Sequence, residues 1–226
     1  MLNFYFHESF SLDELRHIYL VLSDCGLKYS KVPRHDYGYF NFSFDDNYTS
    51  WLELGKLEFG VTMYLNTIPF EDEAKTELYL KRINKPSTTS IISDKEGIQY
   101  LIDSGHLFGF HTHSHINISQ TEKSQLSKEI SLNRLYFDRI GITEPLNQLA
   151  IPYGMLKYVQ EDQITDLLKE FDAIVFANPG LLGKSSNQII HRIEYINELS
   201  LNKNMYRASK ILPKVFMNRM LNFDIL

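Results

Sequence analysis

Two stretches of this chain carry residue types that do chemistry. One is Phe42-Ser43-Phe44-Asp45-Asp46-Asn47-Tyr48, which ends an aromatic run on two adjacent carboxylates; the other is Phe110-His111-Thr112-His113-Ser114-His115, which gathers three of the eight histidines. Two imidazoles and one carboxylate hold a divalent ion on three corners and leave room for water. His111 and His115 are four apart, so within a helical turn both rings would face the same way, whereas strand alternation would put all three histidines on one face. Asp46 adds the carboxylate, and Asp45 remains as a base beside the water. Asp45-Asp46 alone would read as a solvated turn closing a strand, but the clustered histidines argue for a metal. Zinc heads the candidates, with Co, Ni, Mn and Fe also suited to this ligand set. His17, His35 and His106 read as helix decoration, loop or cap residues.

These residues need elements to position them. Leu2 to Phe6 reads as a strand, and Ser11 with Glu14 as the capping box of a helix whose Leu12, Leu15, Ile18, Tyr19 and Leu22 recur every three or four positions, up to Gly26. Tyr39 to Phe44 alternates aromatic with small polar residues, a strand pattern that leaves Asp45 and Asp46 at its C-terminal end. A short helix around Trp51 and a strand over Gly60–Leu65 suggest a parallel crossover unit. Helices are expected over Glu71–Arg82, around Ile98 and Leu101 with Ser93 or Asp94 as cap, over Thr121–Arg139 and over Ile164–Phe171. Strands are expected over Leu107–Phe110, Leu149–Pro152, Ala173–Ala177 and Ile189–Tyr195, with a turn at Asn178-Pro179-Gly180 and a helical tail from Leu199. About seven strands interleaved with helices predict an α/β fold, either barrel or doubly wound sheet. Both place functional groups at strand C-termini, where Asp45, Asp46, His111 and Tyr153 fall.

Bulk properties narrow the field. A chain of 226 residues with 43% hydrophobic content can bury one full core, and no linker or repeat divides it, so a single domain over residues 1–226 is expected. A net charge of -5 argues against nucleic-acid or anionic-membrane partners. The lone Cys25 excludes an internal disulfide framework. No basic, then apolar leader opens the sequence and no run is long enough to span a bilayer, so a cytoplasmic protein without a transmembrane segment is expected. The many Tyr and Phe read first as an aromatic core.

The two stretches also carry a family resemblance. Phe42 to Tyr48 resembles the T-F-D-D-G-Y motif of the polysaccharide deacetylases (NodB-homology proteins, carbohydrate esterase family 4). His111 to His115 matches that family's H-[ST]-x-x-H, and Ala150-Ile151-Pro152-Tyr153-Gly154 resembles its R-x-P-Y-G, in the same order and at similar spacing. The resemblance implies a distorted (β/α)7-type barrel with Asp46, His111 and His115 as metal ligands and Asp45 as general base. It also implies that Thr112 braces the metal loop by hydrogen bonding and that the Tyr153 backbone N–H helps hold an oxyanion. The implied reaction is metal-dependent hydrolysis of an acetyl group, N-acetyl ahead of O-acetyl, from an acetylated sugar, oligosaccharide or glycan precursor.

The chain departs from the family pattern in three places. Asn47 stands where the motif has Gly, a position Asn tolerates. Ala150 replaces the Arg that orients the catalytic Asp, and no L-x-H motif supplies a general acid. His7, at the end of the first strand, and His191 are the candidates for that acid, with His7 preferred; Arg192 is expected to replace the missing cation. Because neighbours in a strand point to opposite faces, His191 and Arg192 cannot both enter the barrel unless the strand is bulged. Two other functions compete. A metal-containing carbohydrate-binding protein with weakened catalysis would explain the missing supporting residues, and a PHP-type metal phosphoesterase would explain His111-Thr112-His113 as an H-x-H motif.

Overall fold

The computed structural model describes residues 2–34, 36, 38–177, 188–195, 203, 204 and 206. Its strands are β1 (Leu2–Phe6), β2 (Lys28–Tyr29), β3 (Tyr39–Asp45), β4 (Thr62–Leu65), β5 (Leu107–Phe110), β6 (Leu146–Ala150), β7 (Ala173–Phe176), β8 (Ile189–His191) and β9 (Ile193–Glu194). The helices are α1 (Leu12–Asp24), α2 (Glu73–Arg82), α3 (Lys95–Asp103), α4 (Lys123–Ile140) and α5 (Glu161–Leu167). Every strand pairing is parallel, in the order β8-β7-β6-β5-β4-β3-β1-β9, with β2 beside the start of β3. Only Arg192 separates β8 from β9, so the two ends of that order are one strand interrupted at one residue. The sheet is a nearly closed barrel in a single domain.

The alternation in β3 decides what lies on each side of the wall. Phe40, Phe42 and Phe44 are fully buried in the large outer core, beneath Leu15, Ile18 and Leu22 of α1. Asn41, Ser43 and Asp45 point into the barrel, and they too are buried. The aromatic residues are therefore mainly core. The barrel lumen is polar, with a small apolar patch of Tyr64, Ala150, Ala173, Val175 and Ile190. Gly109 in β5 makes room for the Tyr64 ring: a Cβ there would sit 2.6 Å from its nearest carbon.

The N-terminal end of the lumen is closed by residues 30–34. Asn41 Nδ2 donates to the carbonyls of Ser30 (2.8 Å) and Lys31 (2.7 Å), Asn3 Nδ2 to that of Arg34 (3.0 Å), and Gln148 Nε2 to that of Pro33 (3.2 Å). The Thr62 hydroxyl also donates to Lys31. Inward side chains from β1, β3, β4 and β6 thus satisfy the carbonyls of a loop that would otherwise be buried unpaired.

Several boundaries differ from the sequence expectations. β6 starts at Leu146 and stops before Ile151-Pro152, because Asn147 and Gln148 break the apolar run without breaking the strand. α5 starts at Glu161, capped by reciprocal bonds between Gln160 and Gln163, and ends at Leu167. In α1, Ser11 Oγ accepts from the Glu14 amide, but the Glu14 carboxylate accepts from the Tyr195 hydroxyl at 2.6 Å. The turn at Asn178-Pro179-Gly180 lies outside the described residues, as do His35 and most of the tail from Leu199. Among the described residues no helix is long and apolar enough to cross a membrane.

Candidate active site

The cleft opens at the C-terminal ends of the strands and is assembled from β1, β3, β5, β6 and β7 and the loops they launch, with the end of α2. β3 delivers Asp45, after which the chain turns through Asp46 (φ 78°) and Asn47 (φ 56°). Asn47 serves the turn with its side chain as well: its amide donates to the Asn66 carbonyl at 2.7 Å, and its Oδ1 accepts from the Asn66 N–H at 2.9 Å. Asn66, just past β4, then donates to the carbonyls of His111 and Thr112. One buried asparagine therefore ties the carboxylate loop to the histidine loop.

Asp46, His111 and His115 come together. One ligand atom from each lies within 4.8 Å of the others, and all three residues are buried. His111 Nδ1 is 2.8 Å from the Ala150 carbonyl, which fixes its proton there and leaves Nε2 turned to Asp46. His111 Nε2 and His115 Nε2 stand 3.5 and 3.3 Å from Asp46 Oδ1, which finds no hydrogen-bond partner among the described residues. A buried carboxylate oxygen left without a partner between two imidazoles fits a divalent cation, which would satisfy all three groups at once.

The histidines do not meet as the helical-turn expectation had it. Residues 111–115 are irregular, with Thr112 (φ 61°) and His115 (φ 55°) left-handed, and the rings converge edge to face at 5.0 Å. His113 turns away from Asp46, His111 and His115, with Nε2 3.1 Å from Glu71 Oε1 and Nδ1 2.9 Å from the Thr67 hydroxyl. The Thr112 hydroxyl does not brace the loop: it is buried without a partner among the described residues. Ser114 takes that part, its N–H and hydroxyl donating to Glu129 of α4 at 2.8 and 2.6 Å.

Behind Asp46, Arg192 makes a two-pronged ion pair with Asp45, with both N–H···O distances 2.7 Å. It donates to Ser43 Oγ as well, at 3.1 Å, and its guanidinium lies between the Tyr5 and Tyr64 rings at 4.8 and 5.0 Å. The side chain is wholly buried. The interruption between β8 and β9 permits this, because the Arg192 N–H turns to the Phe176 carbonyl while β9 goes on to pair with β1. His191 faces the other way, stacked on Phe176 with ring centres 6.1 Å apart, and it does not line the cleft. Strand alternation thus removes His191 from the candidate acids.

Burial pushes the Asp45 carboxyl up, yet the charge of Arg192, with His111, leaves it below the usual carboxylate range. Asp46 is likewise depressed, burial being overcome by His115 and His111. Burial lowers His115 to about 4, against the pull of Asp46, so its imidazole is neutral at pH 7 and free to ligate.

The remaining walls are His7, Tyr5, Arg82, Ile83, Asn84, Tyr153, Gly154 and Ala177, around a cleft of about 230 Å³. His7 is 40% exposed, with Nε2 3.8 Å from Asp46 Oδ2 and Nδ1 3.8 Å from Glu194 Oε1. Tyr153 (φ 63°) packs its ring on His115 at 4.6 Å, and no described residue accepts a hydrogen bond from its backbone N–H. All six non-glycine residues with positive φ among those described line this cleft or belong to its loops. Such conformations cost about 1–3 kcal/mol each and gather where geometry serves function. Sequence reasoning missed Asn66, Ser114, Glu129 and Arg82; of these, only Asn66 carries a local signal, a polar residue directly after an apolar strand.

A family model described as polysaccharide deacetylase matches residues 39–173, which span the Asp45, histidine and Tyr153 segments. Among solved structures, the chain is similar to the Streptococcus pyogenes deacetylase PplD in complex with acetate (13% identity, 94% of this chain and 98% of that one, TM-score 0.67). It is similar also to a de-N-acetylase from Aggregatibacter actinomycetemcomitans (12%, 93% and 98%, TM-score 0.63) and to the BpsB deacetylase domain from Bordetella bronchiseptica (13%, 86% and 95%, TM-score 0.62). At these identities the likeness establishes the fold. No curated protein matches the chain in sequence.

Proposed function

Because the chain belongs to the polysaccharide deacetylase family, we propose that it hydrolyses N-acetyl groups on a carbohydrate in a metal-dependent reaction, with Asp45 as general base. The observation that carries this reading is the pairing of an Asp46-His111-His115 ligand group with an adjacent carboxylate held ionised by a buried arginine. Asp46, His111 and His115 would hold the ion, zinc being the first candidate. When bound, such an ion acidifies water and polarises a carbonyl as a Lewis acid.

The chain's own residues do the rest. Asp45, ionised through Arg192, accepts the proton of the attacking water. The Tyr153 N–H, unspent among the described residues, donates to the oxygen that gains charge as the carbonyl carbon becomes tetrahedral. An amine leaves only with a proton, and His7 stands at the cleft mouth to give it, with Glu194 beside its other nitrogen. Arg192 also removes the motive for a non-hydrolytic carbohydrate binder, since the cation lost at Ala150 is present from another strand. The phosphoesterase reading needs His113 beside His111 at the metal, and His113 instead pairs with Glu71.

The test is acetate release from an N-acetylglucosamine oligosaccharide by chelator-treated protein, before and after adding back zinc, cobalt or manganese. Activity should vanish and return, and Asp45→Asn should lose about 10²–10⁴-fold in turnover with metal content unchanged. Release that ignores chelation, or full turnover by Asp45→Asn, would reject the proposal. His7→Ala should impair the amide far more than an aryl acetate, whose leaving group departs without a proton; equal loss on both would remove His7 as the acid.

A further inference from the structure

Among the described residues, Arg82 is the one cation lining the cleft that the proposed reaction leaves without a task. It sits at the C-terminal end of α2, and its Nη1 donates to the Ser114 carbonyl at 2.7 Å, directly before the ligand His115. The Tyr153 hydroxyl donates back to the Arg82 carbonyl at 3.3 Å, and the Tyr153 ring rests on His115. These contacts hold the guanidinium in the same cleft as the acetyl-hydrolysing groups. They occupy one of its donors.

The other cations nearby are spent. Arg192 is buried with both terminal nitrogens on Asp45 and Ser43, and Lys85 pairs with Glu8 at 3.0 Å over the Tyr48 ring. No carboxylate among the described residues comes within ion-pairing distance of Arg82. Asp45 is already neutralised by Arg192, so among the described residues Arg82 is the cleft-lining cation that has no carboxylate beside it. A guanidinium anchored by one nitrogen keeps a planar face of donors suited to two oxygens of a carboxylate or phosphate.

We propose that Arg82 forms an anion subsite of this cleft, so that the substrate is an acetylated sugar chain bearing a negatively charged substituent, carboxylate or phosphate, beside the N-acetylated unit. This rests on the deacetylase reading, and the experiment separates the two. Matched N-acetylated oligosaccharides are compared that differ only at the neighbouring unit: neutral, uronic-acid-containing or phosphate-bearing. The protein should favour one or both charged substrates in kcat/KM, and raised salt should erode that preference while leaving the neutral substrate unaffected.

Arg82→Gln removes the charge and keeps a polar side chain. It should raise KM for the charged substrate about tenfold or more beyond any change it causes on the neutral one. Arg82→Lys should recover part of the loss as a point charge without the fork. Equal loss on neutral and charged substrates would assign Arg82 only to holding the metal loop and overturn the proposal. So would wild-type protein that shows no preference for charge; absence of acetate release from every substrate would instead overturn the deacetylase reading beneath it. The carboxylate and phosphate arms tell which anion is meant, and the salt dependence of the wild type decides the matter even if the variants fold poorly.

Discussion

The two ends of the barrel lumen solve the burial of polar groups in opposite ways. At the floor, the neutral side chains of Asn3, Asn41, Thr62 and Gln148 donate to backbone carbonyls of residues 30–34, and the only side-chain groups left unpaired there among the described residues are the neutral amide oxygens of Asn3 and Asn41. At the mouth the polar groups are charged, a buried Asp45–Arg192 pair beside an Asp46 oxygen with no partner among the described residues, and the backbone is forced into left-handed conformations. A neutral hydrogen bond is made once and stays satisfied. The mouth keeps groups poised for a ligand and a proton, and stability is given up there. Substitutions at the floor should therefore cost folding and leave turnover alone, while those at the mouth should couple the two.

The largest effect is expected where both terms meet. Arg192→Met leaves the Asp45 carboxylate buried and uncompensated, which should lower unfolding free energy by about 3–5 kcal/mol. It should also move the pH profile of turnover, because Asp45 then rises toward and above the ordinary carboxylate range. Denaturant melts and a pH–rate profile check both, and a variant as stable as the parent would remove the distinction between the two ends. A floor substitution should show only the first term. Asn41→Leu strips the Ser30 carbonyl of its Asn41 donor and leaves the Lys31 carbonyl only Thr62, at about 1–2 kcal/mol, with kcat and KM for the surviving folded fraction within about twofold of the parent. Loss of kcat in that variant would mean that floor and mouth are not separable.

A third probe lies outside the lumen and depends on pH. Burial holds His106 down to about 4, and its Nδ1 accepts from the Val61 N–H at 3.1 Å. The unfolded chain, with an ordinary histidine pKa near 6.5, binds the proton first as pH falls. His106 therefore contributes stability that is complete above about pH 6.5 and is lost between there and about pH 4, roughly 2 kcal/mol of it by pH 5. His106→Gln should flatten that part of the stability–pH curve; an unchanged slope would show that His106 is not its source.

How much of this could be read from the chain depended on whether a local pattern carried it. The β3 alternation marked the strand, and the paired carboxylates with spaced histidines marked the ligand group, because both are short-range regularities. Arg192 was reachable too, since the cation absent at Ala150 had to come from a late strand. What escaped was long-range or conformational. Nothing in Ser114 or Glu129 announces that they meet across 15 positions. The spacing of His111 and His115 suits a helix, and only the two left-handed residues in the loop show why it is not one. β6 was misplaced because inward-facing polar residues, the signature of this lumen, look like a strand end when neighbours are unknown.

The smallest expected effect contrasts two hydroxyls in the histidine loop. Ser114 donates through both N–H and Oγ to Glu129, so Ser114→Ala leaves one oxygen of a buried carboxylate short of a partner and should cost about 1–2 kcal/mol. It should also loosen the loop and weaken metal binding measurably by titration. The Thr112 hydroxyl is buried with no partner among the described residues, so its desolvation is uncompensated there. Thr112→Val keeps the branched shape, adds no new strain at a residue already left-handed, and removes the unsatisfied oxygen. Its stability should match or exceed the parent, by about 1 kcal/mol at most, with metal affinity unchanged. Should Thr112→Val instead lose metal as Ser114→Ala does, the Thr112 hydroxyl would be bracing the loop after all, through a partner gained when the ion binds, and the division of labour between the two residues would be reversed.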